Sequence, residues 1–216
     1  MRKLFKLFMV LCLFIGIGIV AILVHYYNSI RFDLDQVVHY TPPLTTQIID
    51  RKGRLVANLY DKEFRFYASF EDFPARVIEA LAAVEDTLFF EHPGINIDAI
   101  SRAMVKNLAS GKMLEGGSTI TQQLIKNIVL TPERTFDRKI KEALLAIRIE
   151  QVLSKEEILE RYLNRSYFGH GYYGIRTAAL GYFRKDLDRL TLKESALLAG
   201  LVRAPAFYDP TKNLDF

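Results

Sequence analysis

Leu7 to Val24 is an uninterrupted run of apolar and small residues without a charge, and it restricts the chain's folding more than any other feature. At about 1.5 Å per helical residue it is roughly 27 Å long, close to the hydrocarbon thickness of a bilayer. Arg2, Lys3 and Lys6 precede it, so the basic flank is expected to stay cytoplasmic and everything after Val24 to lie outside. A small-residue cleavage pattern is missing around Val24-His25-Tyr26-Tyr27, which favours an uncleaved single-pass anchor over a signal peptide. The expected organisation is a basic flank (1–6), a transmembrane anchor (7–24), a connector (25–45) and a folded domain (46–216).

The chain has 216 residues, 50% of them apolar, enough for one substantial domain with a real core. Cys12 is the single cysteine and lies within the apolar run, so neither a disulfide framework nor a cysteine-rich zinc site is available. Four scattered histidines give no metal-ligand spacing, and no metal site is expected. A net charge of +4 mildly favours anionic partners but is too small to indicate nucleic acid.

Residues 25–45 read as an extended connector ending in the stiff Pro42-Pro43 pair. Thr46–Ile49 and Leu55–Tyr60 flank Asp50-Arg51-Lys52-Gly53, a hairpin pattern. The closely spaced Phe64, Phe66, Tyr67, Phe70 and Phe73 read as core packing. From Pro74 onward the pattern is helical. Helices are expected from Pro74 to about Thr87, from Asp98 to Ser110 with a stop at Gly111, and from Phe136 to about Leu153. Ser154–Glu157 and Thr191–Glu194 are capping boxes, and a further helix is expected over Ile175–Phe183. The reading is a mainly α domain with a small N-terminal β-hairpin, behind one transmembrane helix.

Gly116-Gly117-Ser118-Thr119 should form a tight turn into a helix that Ser118 could cap. On that helix Ile120, Leu124, Ile125 and Ile128 fall on one side. Ser118, Thr119, Gln122, Gln123, Lys126 and Asn127 fall on the other, a nearly uncharged polar face suited to a ligand with hydroxyls and phosphate. A well-capped amphipathic helix is the plainer reading. Glu85 sits within the stripe of Val77, Ile78, Leu81, Val84 and Leu88, whereas Asp86, Glu79 and Arg76 project from the opposite side. A carboxylate on the core side must have an internal partner or line a cleft. Arg138, Lys139 and Glu142 share one helix face. They form either a surface ion pair or a charged group on a helix buried on most sides, since Ala143–Ile147 is apolar all round.

These stretches resemble the motifs of the peptidoglycan glycosyltransferases, lysozyme-like enzymes that include monofunctional forms and the glycosyltransferase domain of class A penicillin-binding proteins. Glu85–Gly94 is similar to EDxxFxxHxG, Gly116–Gln123 to GGSTITQQ, and Arg138–Ala143 to RKxxEA. Ile158–Asn164 with Tyr167-Phe168-Gly169 is similar to ILExYLN…YFG, and Ala196–Pro205 to ALLAGLxxAP. The likeness covers about residues 46–213, in family order. Two positions depart from it: Arg165 stands where a smaller or acidic residue is usual, and Arg184 replaces the glycine of YFGK.

The resemblance implies a lysozyme-like helical fold and inverting polymerisation of lipid II, with release of undecaprenyl pyrophosphate. Glu85 is then the general base and Glu142 the second essential glutamate. Ser118, Gln122, Gln123, Lys126, Arg138, Lys139 and Tyr167 are the implied substrate-binding residues, with Lys126, Arg138 and Lys139 neutralising the departing pyrophosphate. His92 is expected to order its loop. A divalent cation (Mg or Mn) beside the pyrophosphate is compatible with this scheme but not required. Implied partners are lipid II, the undecaprenyl-pyrophosphate-linked glycan, the bacterial cytoplasmic membrane, moenomycin-type inhibitors and other wall-synthesis proteins. Two rivals stay open: a lytic murein enzyme on the same scaffold, and an inactive membrane-tethered scaffold. In the segment 95–114, Ile100, Met104 and Leu108 form an apolar stripe that in an ordinary protein would close over the core; in a chain tethered outside the membrane it is expected to face the membrane, leaving Met104, Leu108, Met113 and Leu114 partly exposed on the side of the anchor.

Overall fold

A computed structural model describes residues 2–29, 31–112, 116–130 and 135–212. Helix α1 (Arg2–Ser29) contains the apolar run, and its Met9–Tyr27 stretch is long and apolar enough to cross a membrane, with none of it buried against the protein. Helix α2 (Arg31–Val38) follows almost directly. Much of the expected extended connector is therefore helical. The overlooked signal is Leu34, Val37 and Val38 at i, i+3 and i+4, a stripe that buries Val37 completely. Among the described connector residues only 39–45 are irregular, leading into a hairpin of β1 (Thr46–Ile49) and β2 (Leu55–Leu59). Its strands pair antiparallel from Thr46–Leu59 to Ile48–Ala57, with a bulge after Ile48. Asp50 closes the turn by accepting from the backbone N–H groups of Lys52 (2.8 Å) and Arg54 (2.9 Å).

The remaining helices are α3 (Ala75–Glu85), α4 (Ile97–Ser110), α5 (Ile120–Ile128), α6 (Phe136–Ile149), α7 (Lys155–Arg165), α8 (Ile175–Phe183) and α9 (Leu192–Arg203). Helix α5 packs between α6 and α7, while α3 packs along α9. Ile120, Leu124 and Ile125 on α5 are fully buried, worth about 1.5–3 kcal/mol each. Leu145 and Ile149 of α6 and Ile158, Leu159 and Tyr162 of α7 complete that core. Of the aromatic cluster only Phe73 is fully buried, and Tyr67 stays exposed with its hydroxyl on Glu160.

Helix α8 ends as its unusual sequence requires. With no glycine available, Arg184 itself adopts the left-handed conformation (φ 55°) at the C-cap. Arg165 is accommodated by Glu63, 3.4 Å away, and by the carbonyl of Asn127.

The apolar helix is also joined to the domain. The Tyr26 hydroxyl donates to Asp137 Oδ1 at 2.6 Å, the Arg148 guanidinium lies 4.7 Å above the Tyr27 ring, and α2 packs against α6. All these contacts converge on α6.

Candidate active site

The loop from Asp86 to Gly94 and the start of α5 are knitted together by one carboxylate. Asp86 lies beyond the last turn of α3, in extended backbone (φ −162°), so the helical phase that separated it from Glu85 no longer applies. It does not project outward; its side chain is 2% exposed. Asp86 Oδ2 accepts from His92 Nε2 at 2.8 Å and from the Ile120 N–H at 3.1 Å, the latter at the positive end of α5. His92 Nδ1 accepts from the Gly94 N–H (3.1 Å), which leaves the proton on Nε2, facing Asp86. Gly94 (φ 97°) sits where a Cβ would lie 2.5 Å from the Ala146 carbonyl, so only glycine lets this loop rest on α6. Lys155 adds a further tie, donating to the His92 carbonyl (2.8 Å) and pairing with Glu150 (2.6 Å).

Helix α5 begins one residue later than expected. Thr119, not Ser118, is the N-cap, and Gln122 completes its capping box by accepting from the Thr119 N–H (3.0 Å). Gln122 is thereby buried and engaged in starting the helix, and it does not line the cleft beside Glu85. The T-x-x-Q pattern was present to be read. Ser118 is released from capping and instead accepts from Lys139 Nζ (2.8 Å). Gly117 brings this turn against α4, where a Cβ would fall 2.8 Å from the Ile100 Cα.

A cleft of about 720 Å³ opens here, lined by Glu85, Gln123, Ser118, Arg102, Lys106 and Arg203 among others. Glu85 Oε2 accepts from Gln123 Nε2 (2.7 Å), and the Tyr162 hydroxyl donates to Gln123 Oε1 (3.0 Å). Glu85 Oε1 is buried and has no hydrogen-bond partner among the described residues, an exception to the rule that buried polar atoms are paired. Burial first, and the Glu85 charge second, push the Tyr162 phenol well above its ordinary value and keep it a donor.

Glu142 is 2% exposed, so the surface-pair reading fails. Its two oxygens are taken by Arg138 (2.9 Å) and by Lys139, and Lys139 in turn reaches Ser118. The glycine–serine turn therefore joins the Glu85 cleft to the Glu142 cluster. Lys126 lies exposed on the last turn of α5, and Tyr167 is exposed and packs 4.9 Å from the Tyr173 ring; neither lines the cleft. Arg102, Lys106 and Arg203 were not anticipated. Among the described residues no cluster of three His, Cys, Asp or Glu side chains could hold a metal ion.

Helix α4 is amphipathic in the inverted sense. Asn96, Ala99, Arg102 and Lys106 line the cleft, while Ile97, Met104, Val105 and Leu108 on the far side are exposed, Leu108 by 73% and Met104 by 62%. The apolar stripe does not close over the core. Met113 and Leu114 lie outside the described residues.

Residues 52–216 match the transglycosylase family model. Penicillin-binding protein 1A of Aquifex aeolicus (strain VF5) is 46% identical over 194 residues, covering 90% of this chain and 26% of that protein. Penicillin-binding protein 1A of Neisseria lactamica is 42% identical over 214 residues, covering 99% of this chain and 26% of that one. The chain thus spans about a quarter of the length of these relatives. The crystal structure of penicillin-binding protein 1A from Haemophilus influenzae aligns over 81% of this chain and 16% of that chain, with 23% identity and a TM-score of 0.38.

Proposed function

The chain belongs to the transglycosylase family, and from that premise we propose that it is a peptidoglycan glycosyltransferase polymerising lipid II into glycan strands at the bacterial cytoplasmic membrane. The observation that carries this reading is Glu85: one oxygen is held by Gln123, while the other has no partner and belongs to a residue lining a cleft. Such a carboxylate is placed to accept a proton from a substrate hydroxyl. Glu85 takes the proton of the acceptor's 4-hydroxyl, the freed oxygen attacks the anomeric carbon of the donor, and the bond to undecaprenyl pyrophosphate breaks with inversion. The expelled pyrophosphate gains one negative charge on the oxygen freed from the anomeric carbon, and Arg138 and Lys139, prearranged on Glu142, neutralise it. Lys126, exposed on the last turn of α5, is a further cation for the same role.

The inverted α4 supports a lipid-borne substrate. Its apolar side lies in the membrane interface while Arg102 and Lys106 face the cleft and its anionic occupant. Helix α1 is the anchor, with the domain outside. Moenomycin-type phosphoglycolipids compete for the cationic turn at Ser118 and Lys139. Incubating the purified protein with lipid II, then separating polymer from substrate, tests the reading. Polymer and undecaprenyl pyrophosphate are expected. Anhydro-sugars released from finished peptidoglycan, with no polymer from lipid II, would instead identify a lytic enzyme.

A further inference from the structure

We infer that Tyr162 is a positioning residue for the base, fixing the amide of Gln123 so that one oxygen of Glu85 is held and the other is left for the substrate proton. The inference rests on the reading of Glu85 as base.

Tyr162 is 1% exposed on α7 and reads as a core filler, a task phenylalanine would perform equally well. Its hydroxyl nevertheless reaches Gln123 Oε1 at 3.0 Å, and Gln123 Nε2 reaches Glu85 Oε2 at 2.7 Å. A glutamine amide can present either end, and its two ends have opposite effects on Glu85. Nitrogen toward the carboxylate donates and holds it, whereas oxygen toward the carboxylate repels it and swings it from the cleft. The carboxylate, which can only accept, and the buried tyrosine hydroxyl, which donates to the amide oxygen, together hold the first arrangement. Glu85 Oε1 is then the oxygen without a partner. Three helices contribute to the relay: Tyr162 from α7, Gln123 from α5 and Glu85 at the end of α3. It transmits the rigidity of the core to the reacting oxygen, and a misplacement of about 1 Å at such a group can cost a hundredfold in rate.

The test is a double-mutant cycle in the full-length chain, with kcat and KM measured on lipid II for wild type, Tyr162→Phe, Gln123→Met and the double variant. Tyr162→Phe is expected to lower kcat by about 10- to 100-fold while KM stays within about twofold. The double variant should be no slower than Gln123→Met alone, since Tyr162 acts only through that amide. Replacing Tyr162 with 3-fluorotyrosine keeps the ring and the donor and should restore kcat. A purely structural tyrosine would lower the melting temperature but leave kcat per folded molecule intact. Unchanged kcat in Tyr162→Phe, full additivity with Gln123→Met, or failure of 3-fluorotyrosine to restore the rate would each overturn the inference while polymerisation by the wild type stands. A wild-type chain that makes no polymer would defeat the functional reading, and this inference with it.

Discussion

Asp86 adjoins the base in sequence, yet substituting it should damage stability rather than chemistry. Its Oδ2 is the shared acceptor for His92 Nε2–H and for the Ile120 N–H at the start of α5, and the side chain is 2% exposed. Asp86→Ala strands two buried donors, at about 1–3 kcal/mol each, and removes a negative charge from a helix N-terminus, at about 0.3–2 kcal/mol. The expected loss is roughly 3–6 kcal/mol. Asp86→Asn can keep its oxygen where both bonds converge and loses only the charge assistance, so its expected loss is about 1–2 kcal/mol. At about 2–4 °C per kcal/mol for a domain of this size, Asn should lower the melting temperature by about 2–8 °C and Ala by more than about 6 °C. Thermal unfolding followed by circular dichroism in detergent measures both. Melting temperatures within a degree of wild type for both variants would refute the assignment of Asp86 as the knot of this loop. So would an alanine variant more stable than the asparagine one.

Glu85→Gln should behave in the opposite way: a melting temperature near wild type, but lipid II polymerisation reduced by about 10²–10⁴-fold or more, since shape is kept and the base is lost. Met104→Ser with Leu108→Ser should weaken binding of the fragment 31–216 to anionic vesicles by at least about tenfold in a sedimentation assay without lowering its melting temperature, because both side chains are already exposed. Normal vesicle binding by that double variant would remove α4 from the membrane interface. Arg184→Gly should stabilise the domain by about 0.5–1 kcal/mol, relieving a left-handed non-glycine residue at φ 55°; a lower melting temperature would show that the Arg184 side chain contributes more than its backbone strain costs.

Patterns confined to one element were legible in the sequence. The apolar run, the hairpin, the capping boxes at Ser154 and Thr191, the glycine stop at Gly111 and the bounds of α8 all follow from local chemistry. Errors arose where one residue changed the register. Thr119 rather than Ser118 caps α5, and Gln122 completes its capping box. The helical phase of α3 stops one residue short of Asp86, where the backbone has already left the helix. Helix α2 gives little periodic signal in the sequence, because eight residues hold only two turns. Arg102, Lys106 and Arg203 could not be read at all, since they become neighbours of Glu85 only when α4 and α9 are packed around the cleft. The exposed stripe of α4 with Met104 and Leu108 was expected from the anchor and the family resemblance rather than from its period, since an apolar stripe has the same period whether it meets a core or a bilayer.

The contacts of Tyr26 with Asp137 and of Tyr27 with Arg148 make the apolar helix a bracket rather than a leash. A domain on slack chain tumbles above a surface and must find its orientation anew at every encounter with a lipid-borne group. Here that rotational search is settled once, during folding, because α1 and α2 are seated on the same helix that carries Arg138, Lys139 and Glu142. On the proposed reading of α1 as a membrane anchor, the angle at which the cleft meets the bilayer is encoded as a helix phase, in which a single inserted residue is worth about 100° of rotation, and not as a linker length that could drift without consequence.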